Sequence, residues 1–298
     1  MAPVIRYAID VDLGLNAVSD VFVNGSFIAA EKATVSVFDR GFLLGDGVYE
    51  VIPVYASRCF ELAAHLIRLN NSLAAVKMTN PHSDQDWASI FDTLIQHNGG
   101  GNQALYMQVS RGVAPRDHVF PVGVEPSVFV MTNPLSVMSE QVKLKGIHAV
   151  TLNDTRWQRC DIKAISLLPN SLLKQEAKEA GADEALLIRD GFMTEGAASN
   201  SYAVFSGVIH TAPKDNKILP GITRDVLLSL AKRAGIKVVE EAVAETRLAQ
   251  ADELWVSSST KEVLPITKLN GQTIGSGLPG NVWHQMDALY QQLKAETA

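Results

Sequence analysis

The spacing of apolar residues along the chain predicts a mixture of short strands and longer helices. In the first half, leucines that recur at intervals of three and four predict a helix. Apolar runs on either side of Asn24-Gly25 predict a β-hairpin. The elements predicted in this half are strands at 20–23, 26–28, 48–52, 104–110 and 127–131, and helices at 61–78 and 83–97.

The second half mixes strands and helices without regular alternation. Asp190-Gly191 between two apolar runs predicts another hairpin, and Gly181 and Gly235 end two of the predicted helices. The elements predicted here are strands at 184–189, 192–195, 202–206, 237–240 and 253–257, and helices at 167–180, 222–234 and 281–295. This order favours an α+β fold over a doubly wound sheet.

A cluster of turn formers at 132–136 separates the two halves. We therefore expect a smaller N-terminal α/β domain at 1–132, a linker at 133–139 and a larger C-terminal domain at 140–298. The length of 298 residues agrees with two domains of roughly 100–200 residues each.

The composition narrows the classes of protein that fit. Hydrophobic residues make up 47% and charged residues 19%, which indicates a large core. The net charge of -6 gives no electrostatic reason to bind nucleic acid or anionic membranes. Two cysteines form no disulfide framework or metal-ligand spacing. No long apolar run or signal peptide is evident, so we expect a cytoplasmic protein without metal, membrane or nucleic-acid partners.

Lys163 is a candidate nucleophile because apolar residues flank it just ahead of a predicted helix. A lysine kept partly out of water has a lowered pKa and can attack a carbonyl as a neutral amine. The alternative is a surface lysine whose aliphatic stem covers the start of the helix.

Glu195 closes a predicted strand and meets a run of small residues, 196–199. Small side chains let a flat ligand approach the backbone, and a carboxylate there can pair with a protonated pyridine nitrogen. The alternative is an exposed acid in a loop.

Several groups that bind phosphate occur in the second half. The helix predicted to begin near Ile222 offers free backbone N–H groups, and Thr223 adds a hydroxyl. Ser258 and Ser259 follow a predicted strand, and Arg68 on the first predicted helix can bind an anion bidentately. The alternatives are an ordinary helix start, a polar turn and a solvated arginine.

The loop at 110–118 combines glycine and proline with two cationic side chains. Arg116 and His118 are two residues apart, so a rigid loop can aim both at one carboxylate. The alternative is a charged surface loop. Dinucleotide and P-loop glycine motifs are missing, as is the H-E-x-x-H zinc motif.

The sequences of these segments and their order along the chain resemble those of the fold-type IV pyridoxal-phosphate enzymes, over about residues 20–295. The segments that carry the resemblance are Asp39-Arg40-Gly41, Gly45 to Glu50, His65 to Leu69, Arg111-Gly112, Pro115 to His118, Cys160 to Lys163, Thr194-Glu195-Gly196 and Leu219 to Thr223. The resemblance implies two domains with pyridoxal 5'-phosphate in the cleft between them, and a homodimer.

The resemblance also implies a role for each candidate residue. Lys163 would bind the cofactor covalently and move a proton to and from the substrate, while Glu195 would hold the pyridine nitrogen protonated. Arg116 and His118 would bind the substrate α-carboxylate beside Phe42, where some relatives have a tyrosine. The residues implied to anchor or pack against the cofactor are Arg68, Leu219, Ile222, Thr223, Ser258 and Ser259.

Within the family, the chain most resembles the D-amino-acid aminotransferases. That likeness implies transfer of an amino group between a D-amino acid (D-alanine, D-glutamate) and a 2-oxo acid (2-oxoglutarate, pyruvate). A branched-chain L-amino-acid aminotransferase and an aminodeoxychorismate lyase are alternatives on the same fold, and the Arg116/His118 loop argues against the first. A non-catalytic metabolite-binding protein would need neither Lys163 nor Glu195.

Overall fold

The computed structural model describes residues 20–135 and 138–297. Residues 1–19 of the predicted N-terminal domain, 136–137 of the predicted linker and residue 298 therefore lie outside the described part.

An antiparallel sheet of six strands and three helices form the first half. Its strands are Asp20–Val23 (β1), Ser26–Ala29 (β2), Gly47–Tyr55 (β3), Arg58–Cys59 (β4), Gln103–Ser110 (β5) and Ser127–Pro134 (β6), in the spatial order β2-β1-β6-β5-β3-β4. Its helices are Arg40–Leu44 (α1), Leu62–Ala75 (α2) and Asp84–His97 (α3).

The core of this half lies between the sheet and the helices α2 and α3. The apolar residues of α2 that recur at helical spacing, Leu66, Leu69 and Leu73, are buried there beside Trp87 and Phe91 of α3. A capping box between Ser83 and Asp86 begins α3 by satisfying free N–H groups at its start.

A mixed sheet of nine strands forms the second half. Its strands are Ile147–Asn153 (β7), Glu184–Arg189 (β8), Phe192–Gly196 (β9), Asn200–Phe205 (β10), Val208–Thr211 (β11), Val238–Glu240 (β12), Glu253–Ser258 (β13), Glu262–Leu269 (β14) and Gln272–Thr273 (β15). The order is β12-β11-β10-β13-β14-β7-β8-β9, with β15 paired to β14. The helices are Glu140–Lys145 (α4), Leu168–Glu179 (α5), Ile222–Arg233 (α6), Glu245–Leu248 (α7) and Asn281–Thr297 (α8).

The segment between β7 and α5 joins the two sheets. Ile162 is buried in the core of the first half. The amide of Ile165 donates to the carbonyl of Gly47 (3.1 Å), and the amide of Tyr49 donates to the carbonyl of Lys163 (3.0 Å). These contacts along β3 place Lys163 where the first sheet meets the second half of the chain.

The predicted α+β fold class is confirmed, but several elements differ from the prediction. β6 continues through Pro134, so strand pairing extends into the segment predicted as a linker. Residues 40–44 form a helical turn because the Asp39 side chain caps its start and Gly45 ends it at a φ of 66°. Seven further elements were not predicted from the sequence: β4, β7, β11, β14, β15, α4 and α7. The domain boundaries remain a prediction.

Across the described ranges, no helix has the length and apolar character that crossing a lipid bilayer requires.

Candidate active site

Lys163 projects into a cavity and is fixed there by its own backbone. Besides the contact with Tyr49, its amide donates to the hydroxyl of Ser72 on α2 (3.2 Å). Its Nζ lies 4.1 Å from the centroid of the Tyr49 ring. Burial, and to a smaller extent the positive charge of Arg68, together lower the pKa of Lys163 from 10.5 to about 7 against the opposing pull of nearby carboxylates. A neutral, nucleophilic amine is therefore well populated near pH 7.

Glu195 lies near the end of β9, also on the cavity wall, and is 3% exposed. Its carboxylate accepts hydrogen bonds from the Arg156 guanidinium, from the amide of Leu219, which contacts both oxygens (3.2 and 3.0 Å), and from Nδ2 of Asn200 (3.1 Å). Burial raises the pKa of Glu195 to about 7, and Arg156 limits that rise. The carboxylate also lines the cavity, where its negative charge can attract an N–H group such as that of a pyridinium ring.

The start of α6 is an anion-binding corner of the cavity. Gly221 precedes the helix and supplies no side-chain cap, so the N–H groups of Ile222 and Thr223 stay available to a ligand. A Cβ at Gly221 would collide with Oδ1 of Asn200, so only glycine allows this close approach.

Arg68 contributes positive charge next to this corner. Its Nε and Nη2 donate to the two oxygens of Glu50 (2.8 and 2.6 Å), and Nη1 donates to the carbonyl of Pro220 (3.1 Å). Burial alone would raise the pKa of Glu50, but Arg68 and His65 hold it down at about 2. Among the described contacts, three of the five guanidinium N–H groups are engaged, which leaves two for a phosphate.

All eight residues predicted to contact a cofactor line one cavity of about 740 Å³. They are Arg68, Lys163, Glu195, Leu219, Ile222, Thr223, Ser258 and Ser259. This volume lies within the usual range of small-molecule sites. An amine, an acid and an anion-binding corner on one cavity fit an aldehyde-bearing pyridine with a phosphate.

The three residues predicted to bind substrate lie elsewhere in the chain. Phe42 on α1 is 74% exposed, and Arg116 and His118 are exposed in the loop between β5 and β6. In the described part of the chain, none of the three lines the cavity. Their predicted role is therefore not assembled within the single chain.

Some residues that orient the candidate groups were not predicted from the sequence. Arg156 holds Glu195 and is itself paired with Asp154 (2.9 Å), and Glu50 holds Arg68. Arg156 is 39 residues from Glu195, so no local pattern marks their contact. Glu50 lies within a segment that carried the family resemblance, but no role was assigned to it.

The fold and the cavity are those of an enzyme. Residues 47–269 match the family described as Amino-transferase class IV, and the chain belongs to that family. The fold-type IV resemblance drawn from the sequence is thereby confirmed.

The relatives with similar sequences are also aminotransferases, as are the solved structures with a similar fold. The chain is 42% identical to the D-alanine aminotransferase of Bacillus licheniformis, over 93% of this chain and 98% of that protein. It is 37% identical to a D-alanine aminotransferase of Staphylococcus epidermidis, over 91% of this chain and 96% of the relative.

Among solved structures, the branched-chain amino acid aminotransferase of Escherichia coli superposes with a TM-score of 0.89 at 26% identity, covering 94% of this chain and 96% of that chain. The T.th. branched-chain amino acid aminotransferase with pyridoxamine 5'-phosphate also has a TM-score of 0.89, at 25% identity, covering 94% of this chain and 95% of that chain.

Proposed function

We propose that this enzyme uses pyridoxal 5'-phosphate to transfer an amino group between a D-amino acid and a 2-oxo acid. The observation that carries the proposal is the cavity in which Lys163, Glu195 and the start of α6 lie together. The D-alanine aminotransferases that are 37–42% identical support the choice of D-alanine or D-glutamate as donor, and of 2-oxoglutarate or pyruvate as acceptor.

Each wall of the cavity has a distinct task in this proposal. The N–H groups of Ile222 and Thr223 bind the phosphate together with Arg68 and the hydroxyls of Ser258 and Ser259. When bound, pyridoxal 5'-phosphate supplies the electron sink that makes the substrate Cα–H acidic. Leu219 packs against the ring.

Glu195 and Lys163 hold and transfer the protons of the reaction in this proposal. Glu195 keeps a proton on the pyridine nitrogen by pairing with it inside the protein, where charges interact strongly. Nζ of Lys163 would hold the cofactor covalently until the substrate amino group displaces it. The freed amine would then take the proton from the substrate Cα and, as an ammonium group, return one, because a pKa near 7 allows both states.

The pH dependence of cofactor attachment tests the state of Lys163. In cofactor-free protein, the rate of covalent attachment should rise with pH up to about 7 and then level off, because its pKa lies near 7 and the neutral amine is the nucleophile. Stopped-flow absorbance with added pyridoxal 5'-phosphate measures this rate. A rate that keeps rising toward pH 10 would mean that Lys163 keeps the ordinary pKa of a lysine.

Substrate binding is proposed to need a second copy of the chain, as in the predicted homodimer. Arg116 and His118 are exposed and do not line the cavity of their own chain. The surface around them carries apolar side chains that are 46–98% exposed, an unusual concentration for a surface that faces only water. These side chains are Val35, Val37, Phe38, Phe42, Val113, Val119, Phe120 and Val122. A second copy packed on this surface would bring the loop to the partner's cavity.

Mixed dimers test that arrangement. Lys163→Ala lacks the amine, and Arg116→Ala lacks the carboxylate-binding cation. If the loop serves the partner's cavity, a mixed dimer has one site with both groups intact. Co-expressed variants should then show activity at low D-alanine well above either variant alone. If mixing restores nothing, the loop either serves its own chain or does not bind the substrate.

The choice of enantiomer separates this proposal from its nearest alternative. Single-turnover absorbance changes should be faster with D-alanine and D-glutamate than with L-leucine or L-valine. Faster conversion by the L-amino acids would favour a branched-chain aminotransferase, the activity named for the solved structures. Elimination of pyruvate without amino transfer would favour the lyase.

A further inference from the structure

A buried group of three charged residues lies beneath the loop that carries Arg116 and His118. Asp46 follows α1, and its carboxylate binds Nε of Arg40 at 2.8 Å, and Nε and Nη2 of Arg111 at 2.7 and 2.9 Å. The side chains of Arg40, Asp46 and Arg111 are 2%, 13% and 9% exposed. The described residues that line the cavity include none of these three.

Arg40 connects this group to the backbone between the two substrate-binding candidates. Its Nη1 donates to the carbonyl of Asp117 at 2.5 Å and, more weakly, to that of Val119 at 3.5 Å. Its amide donates to the carbonyl of Gly112 at 2.9 Å, where the loop leaves β5. Because Asp117 stands between Arg116 and His118, its position helps to set the direction of both side chains.

Arg111 fixes the other parts of the loop to the body of the domain. Its guanidinium donates to the carbonyls of Val76 (2.8 Å) and Lys77 (3.3 Å) just after α2. It also lies 3.6 Å from the centroid of the Phe120 ring, at the far end of the loop. The base and the tip of the loop are thus held by two arginines that share one acid.

Both arginines depend on Asp46 for charge compensation and for their orientation. Two buried guanidinium groups repel each other unless a negative charge lies between them, and removing the acid from such a cluster leaves charges without compensation. Asp46 also aligns both through their Nε atoms, which fixes the planes of the two guanidinium groups.

We propose that Asp46 is a positioning residue for substrate binding, because it aligns Arg40 and Arg111 so that the loop presents Arg116 and His118 to the substrate carboxylate. This inference rests on the proposed function, since it assumes that the loop binds the carboxylate. It holds whichever chain's cavity the loop serves, because every contact of the group lies within one chain.

Steady-state kinetics of the holoenzyme test the inference with Asp46→Asn. The KM for D-alanine and for 2-oxoglutarate should rise about ten- to hundredfold, the order expected when a binding group shifts by about 1 Å. The cofactor content and cofactor affinity should stay unchanged, and kcat should change less than KM. Asp92→Asn removes an exposed acid from α3 of the same half and should leave both constants unaltered.

A combined variant separates an effect through the loop from general damage. If Asp46 acts through the loop, Asp46→Asn should add little to the KM of the Arg116→Ala/His118→Ala variant, because both groups being positioned are already gone. A KM increase in the combined variant equal to the product of the increases in Asp46→Asn and in Arg116→Ala/His118→Ala would overturn the inference.

Arg40→Met provides a second variant should Asp46→Asn fail to fold. It removes the bonds to Asp117 and Val119 while Asp46 keeps its pair with Arg111, and it should raise KM in the same way. An unchanged KM in Arg40→Met alongside a raised KM in Arg116→Ala overturns only the inference. An unchanged KM in Arg116→Ala overturns the carboxylate role of the loop as well.

Discussion

Replacing Lys163 by alanine is expected to lower the rate of amino-group transfer by about four orders of magnitude, the upper end of what a positioned acid–base group contributes. The variant loses both the attachment point of the cofactor and the base that moves the Cα proton. The purified protein should also lose the absorbance of covalently bound cofactor. Single-turnover kinetics with D-alanine and the absorption spectrum measure these two losses.

Two further measurements distinguish the loss of the Lys163 amine from a general loss of the cofactor-binding site. Arg68, Ile222 and Thr223 remain in the Lys163→Ala variant, so it should still bind pyridoxal 5'-phosphate noncovalently and release it on dialysis. Lys174→Ala is the matched control, because Lys174 also lines the cavity but pairs with Glu184 at 3.2 Å. Normal transfer by Lys163→Ala would remove Lys163 from its central role.

The sequence predicted the local elements of the fold well and the long-range contacts poorly. Residues 184–189 form β8 as predicted, because short apolar runs such as 185–188 are typical of buried strands, and every side chain of this strand is buried. The helices α5 and α6 follow the predicted ranges within about two residues, as expected where a strong period of 3.6 meets a glycine stop.

The missed elements have physical causes. β14 contains Pro265, which as a rule disfavours a strand assignment, yet it pairs with β13 on one side and β7 on the other. Arg156 and Glu50 could not be assigned roles, because their partners are distant in sequence and become neighbours only through folding. The loop of Arg116 could be predicted as rigid from its glycine and proline, but not where it lies relative to the cavity.

The pairing of Glu195 with Arg156 limits how far the pKa of the glutamate can rise. Burial favours the protonated acid, whereas Arg156, Asn200 and the amide of Leu219 stabilise the carboxylate. A pyridinium ring beside this carboxylate adds a second positive charge, which further favours the ionised form of Glu195. In the proposed complex the proton would therefore reside on the ring, and Arg156 would favour that outcome.

Glu195→Gln is accordingly expected to slow removal of the Cα proton by about two to three and a half orders of magnitude. Breaking a buried ion pair by neutralising one partner costs about 3–5 kcal/mol, which corresponds to this loss of rate if the full cost falls on the transition state. Arg156 would keep its pair with Asp154 but lose the one with Glu195, so its charge would be less compensated beside the ring and would disfavour ring protonation. Covalent attachment at Lys163 and phosphate binding should survive.

A kinetic isotope effect at the substrate Cα and a control substitution at another buried acid test this prediction specifically. With D-alanine deuterated at Cα, the variant should show a larger kinetic isotope effect than the parent enzyme, because proton removal becomes more fully rate-limiting. Glu184→Gln neutralises another buried carboxylate on the neighbouring strand β8, and the described lining of the cavity does not include it. That control should keep its rate. A Glu195→Gln enzyme whose half-reaction with D-alanine runs at the parent rate would show that the carboxylate does not hold the ring proton.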